Sequence, residues 1–333
     1  MDVSVICPVF NTPAAVLAAA VRSVLGQAGS HALELVLVDD RSTDPATLAA
    51  LREAADADRR VRVFHRDTNA GPAQARSLGI AHAAHEWIGF IDSDDLWPED
   101  KLDRAAEAAR EWPDTRWISG SFSTLFPDGG IRPSRTLTQD CPPAEAGRVA
   151  HRLRPPGSTR ALVGAWHPLG SSLFRKDLIA DAGGFDPSLL YGEDWLLCLR
   201  VSTLAPMEYM EAPTYVLRRQ GASMMRSPGR LSAEVVRSIQ AAQRDPAFRP
   251  VRRELRWFRY AAYKDIAMNN ALNGHKLRGL TFALRALAVD PGEVGDFLLF
   301  LRLLRAGGPD LASGLRRYSN ADQVDLSKIE KLG

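Results

Sequence analysis

The chain has 333 residues, of which 45% are hydrophobic and 25% are charged, and its formal net charge at pH 7 is only +2. This length fits one large domain or a domain with an appendage, and the composition is that of an ordinary soluble globular protein. Because the bulk charge is so close to zero, it gives no support to nucleic-acid binding. No nucleic-acid partner is therefore expected.

The cysteines and the N-terminus bear on the compartment. Cys7, Cys141 and Cys198 are odd in number and scattered, which matches neither a zinc site nor a disulfide framework and favours a reducing environment. The first residues lack the length and the basic flank of a signal peptide. No apolar run approaches the roughly 20 residues of a spanning helix. These features predict a cytoplasmic protein.

The first 111 residues alternate between strand and helix patterns four times. The predicted strands are 3–9, 34–38, 61–64 and 87–91, and the predicted helices are about 13–25, 45–57, 72–84 and 99–111. This alternation predicts an α/β fold with a mostly parallel sheet and helices on both faces. In such a fold, ligands bind beyond the carboxyl ends of the strands.

The rest of the chain divides into an irregular part and a helical part. Short strands are predicted at 117–122 and 170–174, helices at 175–182 and 191–203, and a long loop at 127–156, and the segment 215–219 closes this region. Helical patterns at 231–243, 252–270, 277–289 and 294–305 predict a C-terminal helical appendage. The expected domains are 1–226, with halves 1–115 and 116–226, and 227–333.

The stretch from Trp87 to Pro98 carries the strongest chemical signal. An apolar strand pattern ends in Asp92, Asp94 and Asp95, whose charges repel one another and lose hydration if they are buried. A divalent cation would relieve both costs, and oxygen ligands suit Mg²⁺ or Mn²⁺. The alternative is a solvated acidic turn that caps the next helix.

Two earlier strands also end in polar residues. The first ends at Pro8 to Asn11, and the second at Asp39 to Asp44. Because parallel strands end at the same edge, we expect both segments to lie beside the acidic cluster. The first of these segments has no glycine, which argues against a dinucleotide-binding oxidoreductase. The alternative is that these loops are polar only because they are loops.

Four segments occur in an order that is specific to one family. They are VSVICPVFN, LVLVDDRSTD, NAGPAQARSLGIAHAAHEWIGFIDSDD and GSSLFRKDLIADAGGFDPSLLYGEDWLLCLR. Over about the first 225 residues the chain resembles a family 2 glycosyltransferase with the nucleotide-sugar-binding GT-A fold. The resemblance implies an inverting transfer of a sugar from a nucleoside-diphosphate donor, with UDP expected, to an acceptor hydroxyl.

The resemblance also implies a role for each matching residue. It places Asp194, with Glu193 beside it, as the catalytic base, and Asp92 and Asp94 as ligands of Mn²⁺ or Mg²⁺. Asp40 would contact the base of the nucleotide, and Arg76 the diphosphate. The implied nucleotide-sugar-binding residues are Pro8, Asn11, Asp39, Asp40, Arg76, Asp92, Ser93, Arg218, Arg219 and Gln220.

One position departs from the family pattern, and the acids have ordinary uses as well. Gln220 stands where a histidine is expected, and an amide is a poorer metal ligand than imidazole, so Arg218 or Arg219 is an alternative phosphate contact. Asp40 could instead cap the next helix, and Arg76 could be a solvated helix residue. Glu193 and Asp194 could be acids that only favour the first turn of their helix.

The acceptor and the cellular place are expected only in outline. The resemblance implies polysaccharide or glycoconjugate synthesis, with a glycan or a lipid-linked glycan as acceptor. The basic and aromatic residues of 252–264 and the apolar run 297–304 fit helices that lie in a bilayer interface, which would place the protein at the inner face of the plasma membrane. Packing within the appendage is the commoner use of such apolar stripes and is the favoured alternative. A membrane-surface binding module and a catalytically inactive homologue are the alternatives.

Overall fold

The computed structural model describes residues 1–134, 136–164, 167–219 and 228–306. By its internal contacts the chain forms two compact units. The first contains Met1–Leu162 and Trp166–Gly221, and the second contains Val163–Ala165 and Ala222–Gly333. The predicted domain boundary between residues 226 and 227 stays a prediction.

The four predicted strand–helix repeats are present. The strands are β1 (Asp2–Val9), β2 (Ala32–Asp39), β3 (Val61–His65) and β4 (Trp87–Phe90), and the helices that follow them are α1 (Ala14–Leu25), α2 (Pro45–Ala57), α3 (Pro72–His82) and α4 (Lys101–Glu111). β1 pairs in parallel with both β2 and β4, and β2 pairs in parallel with β3. The parallel arrangement expected for this half is therefore observed.

The two faces of β1 pack against different helices. Val3 lies in the main hydrophobic core with Leu17 of α1 and Leu102 of α4. Ile6 points to the opposite face, because side chains alternate along a strand. A Cβ atom at Gly79 of α3 would lie 2.4 Å from the Cγ2 atom of Ile6, so only glycine allows this close approach. Helices thus cover both faces of the sheet.

The second half of the first unit extends the same sheet. Its strands are β5 (Trp117–Leu125), β6 (Ile131–Pro133), β7 (His151–Leu153), β8 (Leu173–Arg175) and β9 (Met207–Arg218), and its helices are α5 (Gly157–Gly164), α6 (Lys176–Asp181) and α7 (Glu193–Leu204). In the described part of the chain the nine strands follow the order β3-β2-β1-β4-β8-β5-β9-β7, with β6 paired to β5 outside this order. Antiparallel pairs at β8 make this half of the sheet mixed.

Two predictions for this half were incomplete. The predicted loop 127–156 contains β6 and β7, whose three residues each are too few to show an alternating pattern. The segment 215–219 was expected only to close the region, and most of it belongs to β9, which begins at Met207. Pro213 and an irregular register against β5 interrupt the hydrophobic pattern of β9, so no strand was predicted there.

The second unit is helical, as predicted. Its helices are α8 (Pro228–Arg244), α9 (Arg252–Leu272), α10 (Lys276–Val289) and α11 (Val294–Ala306). Ala267 and Ala271 of α9, Ala283 of α10 and Phe300 of α11 form one buried cluster. Among the described helices, none combines the length and the apolar character needed to cross a membrane.

Candidate active site

Three polar loops meet at the carboxyl edge of the parallel strands. They follow β1, β2 and β4, and β1 lies between the other two strands. The hydroxyl oxygens of Thr12, after β1, and Ser93, after β4, lie 2.6 Å apart. The side-chain carbonyl of Asn11 accepts a hydrogen bond from the backbone N–H of Thr43, after β2, at 2.8 Å. The expected convergence of the three loops is therefore observed.

Asn11 and Pro8 shape the first loop. Asn11 has a φ of 48°, a left-handed conformation that asparagine tolerates better than most residues. Its side-chain carbonyl also accepts from the backbone N–H of Asp44 at 3.0 Å, and its own N–H donates to Ser42 Oγ at 2.9 Å. Pro8 lies within β1, opposite Val38 of β2. The side chain of Asn11 is thus committed to holding two loops together.

The carboxylate of Asp39 is covered by protein. Its Oδ1 atom accepts from the backbone N–H of Ser42 at 2.9 Å, and its Oδ2 atom lies 3.0 Å from Nδ1 of His65. Since a carboxylate can only accept, the hydrogen of the His65 ring sits on Nδ1. Asp39 therefore fixes the loop after β2 and the side chain at the end of β3.

Asp40 keeps one acceptor position after three protein donors are counted. Arg66 Nη1 donates to Oδ1 at 2.7 Å, the Ala70 N–H donates to the same oxygen at 3.2 Å, and the Gly71 N–H donates to Oδ2 at 2.7 Å. Two oxygens of a carboxylate accept about four hydrogen bonds. Arg66 is held further by the side-chain oxygen of Gln74 at 3.0 Å. The carboxylate of Asp40, as an acceptor, and the guanidinium of Arg66, as a donor, thus lie side by side.

Arg76 of α3 joins the end of β4 to the start of α7. Its Nη2 atom donates to Asp92 Oδ1 at 2.7 Å, and its Nη1 atom donates to Glu193 Oε1 at 2.6 Å. The side chains of Arg76 and Glu193 are buried, whereas that of Asp92 is 48% exposed. Burial lowers the pKa of Arg76, but the charges of Asp92 and Glu193 outweigh it and raise the pKa above its usual value. Arg76 therefore remains a cation at the centre of the acids.

Asp92 and Asp94 lie together after β4. Asp92 offers one oxygen to Arg76 and is half exposed, and Asp94 is half-buried. Burial, followed by the negative charge of Asp92, raises the pKa of Asp94, while Arg218 lowers it in part. The two carboxylates thus repel each other in a partly dehydrated place, which is the cost that a bound cation relieves.

Asp95 turns away from this pair and anchors the loop. Its Oδ2 atom accepts from the hydroxyl of Tyr215 at 2.6 Å, and its Oδ1 atom accepts from the backbone N–H of Arg218 at 2.7 Å. Burial, together with the charges of Asp92 and Asp94, raises the pKa of Asp95 to about 8. We therefore assign Asp95 to holding the acidic loop against β9 and not to binding a ligand.

Glu193 and Asp194 open α7 after Gly192, which has a φ of 75°. Burial raises the pKa of Glu193 to about 7 even though Arg76 is bonded to it. Burial also raises the pKa of Asp194, and the charge of Arg76 acts in the opposite direction. Asp194 Oδ1 accepts from the backbone N–H of Trp195 at 2.7 Å, which leaves Oδ2 for a substrate. Glu193 is engaged by Arg76, so its geometry favours a positioning role.

The basic residues after β9 differ in their surroundings. The Nε atom of Arg218 is buried and has no hydrogen-bond partner within the described part of the chain. The guanidinium of Arg219 is exposed and lies 5.4 Å from the ring centre of Phe126. Gln220 lies outside the described residues. Of the two arginines, Arg218 is the one whose charge reaches the acidic loop.

A metal ion would need ligands beyond the protein at this site. Among the described residues, no group of three or more His, Cys, Asp or Glu side chains is arranged to hold a metal ion. Mg²⁺ commonly uses only one or two carboxylates together with substrate phosphates. The hard oxygens of Asp92 and Asp94, and the raised pKa of Asp94, fit that kind of site.

Three residues at this edge were not singled out from the sequence. Arg66 and Tyr215 bind the acids through contacts with residues 26 and 120 positions away, and no local pattern reveals such pairs. Phe10 is 50% exposed between Val9 and Asn11. An exposed aromatic residue inside a polar strand end is the one local signal that could have drawn attention to it.

Comparison with known proteins identifies the first part of the chain. Residues 4–124 match the model of the family "Glycosyl transferase family 2". Over this segment the chain is similar to that family. The predicted resemblance is therefore confirmed for residues 4–124, and the matched residues include the loops after β1, β2 and β4.

The curated relatives match the chain over part of their length. A putative teichuronic acid biosynthesis glycosyltransferase, TuaG of Bacillus subtilis, is 38% identical over 127 residues, which are 38% of this chain and 49% of TuaG. The chain spans less than half the length of the first four curated relatives that it matches. This likeness therefore concerns the N-terminal part only.

Solved structures match nearly the whole chain. S. aureus TarS 1-349 in complex with UDP-GlcNAc has a TM-score of 0.67 and 18% identity, over 96% of this chain and 91% of that one. The mannosyltransferase PcManGT from Pyrobaculum calidifontis, in complex with GDP-Man and Mn²⁺, has a TM-score of 0.56 and 20% identity, over 96% and 85%. At this identity the match establishes the GT-A fold alone, as predicted.

Proposed function

We propose that the protein is an inverting glycosyltransferase that moves a sugar from a nucleoside-diphosphate donor to an acceptor hydroxyl. The observation that carries this proposal is the set of acids around buried Arg76. Asp92 and Glu193 are bonded to it, and its charge acts on Asp194. One cation thus binds Asp92, which we assign to the donor side, and acts electrostatically on Asp194, which we assign as the base on the acceptor side. Residues 1–115 would bind the donor and residues 116–226 the acceptor, with 227–333 as the appendage.

Asp40 and Arg66 favour a donor with a lactam edge, such as UDP. Asp40 has an acceptor position free for a ring N–H, and Arg66, bonded to Asp40 at 2.7 Å, has further N–H groups for the neighbouring carbonyl. Uracil and guanine both present a ring N–H beside a C=O, whereas cytosine and adenine present a ring acceptor beside an amine. UDP is our first expectation, in line with the UDP-GlcNAc bound to TarS.

Asp92 and Asp94 would hold Mn²⁺ or Mg²⁺, as the Mn²⁺ in PcManGT supports. When bound, such an ion neutralises the phosphate oxygens of the leaving nucleoside diphosphate. Arg76 and Arg218 each carry a buried Nε atom without a hydrogen-bond partner in the described chain. The guanidinium groups that contain these N–H groups place positive charge beside the acids. Ser93, Arg219 and Gln220 complete the proposed donor-binding set, with Pro8 and Asn11 in the first loop.

Asp194 would act as the general base. Burial raises the pKa of Asp194, which makes its carboxylate a stronger proton acceptor. As the acceptor oxygen attacks the anomeric carbon, its proton passes to a carboxylate oxygen of Asp194. The bond from that carbon to the diphosphate oxygen breaks on the opposite face, so the configuration inverts. Glu193 would hold Arg76, and through it Asp92, in place.

The proposed setting is the synthesis of a polysaccharide or another glycoconjugate in the cytoplasm. The name of TuaG, which belongs to teichuronic acid biosynthesis, supports a glycan or lipid-linked glycan acceptor. An acceptor attached to a lipid would bring the enzyme to the inner face of the plasma membrane. Contact with that membrane is a separate property and has its own test.

Thermal stabilisation by a panel of nucleotides tests the donor site. UDP, GDP, CDP and ADP, and the sugar derivatives of the first two, are added with and without Mn²⁺ or Mg²⁺. We expect metal-dependent stabilisation by UDP compounds and its loss in Asp94→Asn. Asp56→Asn, on the exposed surface of α2, is the matched control and should behave as the wild type. Stabilisation by none of the nucleotides would contradict the proposal.

A second experiment tests the chemistry. Asp194→Asn should bind the best donor of the panel nearly as tightly as the wild type but lose transfer to acceptor and hydrolysis of donor. The configuration of the new glycosidic bond, read by NMR, should be opposite to that of the donor. A full transfer rate in Asp194→Asn would remove the base assignment, and a retained configuration would remove the single displacement.

A further inference from the structure

Exposed large hydrophobic side chains are concentrated in one part of the second unit. Ten such side chains are exposed in the described chain, and six of them lie within 28 residues, which are less than a tenth of the sequence. Single exposed leucines are ordinary, but a concentration of them marks a binding surface. The six residues are Leu272, Leu277, Leu284, Val294, Leu298 and Leu299.

On α10 the exposed residues form a stripe opposite to the buried side. The buried residues are Gly279, Ala283, Ala286 and Val289. Leu277 and Leu284 are seven residues, or about two turns, apart, and both fall on the other side of the helix with exposures of 82% and 49%. The outer face of α10 is therefore apolar where a surface helix is normally polar.

α11 continues this surface. The Nζ atom of Lys276, at the start of α10, lies 3.5 Å from the carbonyl oxygen of Leu304 near the end of α11. The two helices are therefore antiparallel neighbours. Phe300 of α11 is fully buried, while Leu298 and Leu299 are exposed. The α10–α11 surface is defined here by four leucines and three exposed arginines: Leu277, Leu284, Leu298, Leu299, Arg278, Arg285 and Arg302.

The charge of this region is opposite to that of the remainder of the chain. Residues 228–306 contain fourteen Arg and Lys against seven Asp and Glu, a net charge of +7. Because the whole chain has a net charge of +2, the remaining residues carry −5. A partner for the α10–α11 surface should therefore be apolar and negatively charged. A second copy of the same basic surface would be repelled.

We propose that the α10–α11 surface binds the interface of an anionic lipid bilayer. Exposed leucines enter the boundary between headgroups and acyl chains, and the arginines beside them meet the anionic headgroups. No described helix is able to span the bilayer, so the contact is peripheral. The inference goes beyond the proposed transfer reaction and does not depend on it.

This surface overlaps only in part with the one that the sequence indicated. Within 252–264, Arg256 donates to the carbonyl oxygen of Val289 at 2.7 Å, and Lys264 pairs with Asp296. Within 297–304, Phe300 is buried in the helical core, whereas Leu298 and Leu299 are exposed. Much of the basic and apolar pattern thus packs the unit itself, and the outer face of α10, which the sequence did not indicate, adds Leu277 and Leu284 to the surface.

Flotation with vesicles of two compositions tests the proposal. The full chain is mixed with phosphatidylcholine vesicles, or with vesicles of phosphatidylcholine and phosphatidylglycerol in a 3:1 ratio, at low and high salt. We expect binding to the anionic vesicles at low salt and at least tenfold weaker binding to the neutral ones. Because screening weakens surface charge interactions, high salt should reduce the binding. Equal binding to both compositions, or to neither, would overturn the proposal.

Two variants locate the surface. Leu277→Ser with Leu284→Ser should weaken binding at least tenfold, whereas Leu204→Ser, which has the same exposure of 49% as Leu284, should not. Arg278→Gln with Arg285→Gln should weaken it by about 25-fold, since each surface arginine contributes about fivefold. Both arginines are exposed, so this variant remains a test if the leucine variant fails to fold.

Two further outcomes have a definite meaning. If the leucine variant abolishes a concentration-dependent dimer in sedimentation and leaves flotation unchanged, the surface binds a second copy and the lipid proposal is wrong. Nucleotide-dependent thermal stabilisation is measured in the same samples. Loss of flotation with nucleotide binding retained would count against the membrane proposal alone. Loss of nucleotide binding with flotation retained would count against the proposed transferase function alone.

Discussion

Replacing Arg76 by methionine removes the cation on which the site is assembled. The side chains of Arg76 and Glu193 are only 6% and 5% exposed, so Arg76→Met leaves Glu193 buried without its partner. Removing one member of a buried ion pair costs about 3–5 kcal/mol, whereas an exposed pair contributes at most about 1 kcal/mol. We therefore expect the free energy of unfolding of the first unit to fall by about 3 kcal/mol or more.

A double-mutant cycle with Glu193 separates the effect of losing the ion pair from the effect of losing side-chain volume. Replacing both members of a buried ion pair by apolar residues of similar size is often neutral. Arg76→Met combined with Glu193→Leu should therefore recover about half or more of the loss. Full recovery is not expected, because Asp92 and Asp194 also lose a neighbouring positive charge. The coupling free energy between positions 76 and 193 should be about 2 kcal/mol.

Calorimetry and urea unfolding at pH 7.5 measure these differences. For a unit of this size, 1 kcal/mol corresponds to about 2–4 °C in Tm, so Arg76→Met should lower the Tm of the first unit by roughly 10 °C. Arg66→Met is a useful control, since its partner Asp40 retains two backbone donors. A loss below about 1 kcal/mol for Arg76→Met, or a coupling free energy near zero, would refute the buried-pair interpretation.

Three further predictions concern buried groups behind the site. His167→Gln should flatten the dependence of stability on pH. Burial, followed by the charge of Lys101, lowers the pKa of His167 to about 3, so below about pH 6.5 the unfolded chain binds a proton that the folded chain does not bind. The free energy of unfolding of the wild type should therefore fall by about 2 kcal/mol between pH 6.5 and pH 5. This is read from urea midpoints at both pH values. Lys101→Met should keep or raise the Tm at pH 7, because burial holds the pKa of this lysine well below its usual value; a fall of several degrees would contradict this. Gly170→Ala should cost about 1–3 kcal/mol, since the new Cβ would lie 2.1 Å from the Tyr215 ring, and Gly295→Ala, which meets nothing within 4 Å, should cost nothing in the same urea assay.

The sequence predicted the elements whose pattern is local. β1 to β4 and their helices have hydrophobic periodicities that repeat within one element, and α8 to α11 begin and end within a few residues of the predicted positions. The acidic loop was predicted because Asp92, Asp94 and Asp95 are contiguous and follow an apolar strand. In each case the decisive information lies within about ten residues.

The sequence did not predict the contacts that join distant segments. Arg76 meets Glu193 across 117 positions, and Tyr215 meets Asp95 across 120. Nothing near Asp95 indicates that it turns towards β9 while Asp94 remains at the edge of the sheet. Hydrogen-bond donors from distant segments decide which acid of a cluster is bonded within the protein. The local spacing of the acids does not reveal these donors.

The charges of the site favour the binding of a cation. Asp92, Asp94, Asp95, Glu193 and Asp194 are five acids, and four of them have a raised pKa for which burial is the first cause. Arg76 and Arg218 offset only part of this negative charge, and Tyr215 satisfies Asp95 without neutralising it. Such a cluster costs stability, and strongly perturbed carboxylates of this kind concentrate at functional sites. A nucleoside diphosphate is itself strongly anionic, so it cannot approach these acids favourably unless positive charge arrives with it. We therefore expect donor binding to depend on Mn²⁺ or Mg²⁺, and donor binding that is equally tight in the presence of a chelator would show that Arg76 and Arg218 are sufficient.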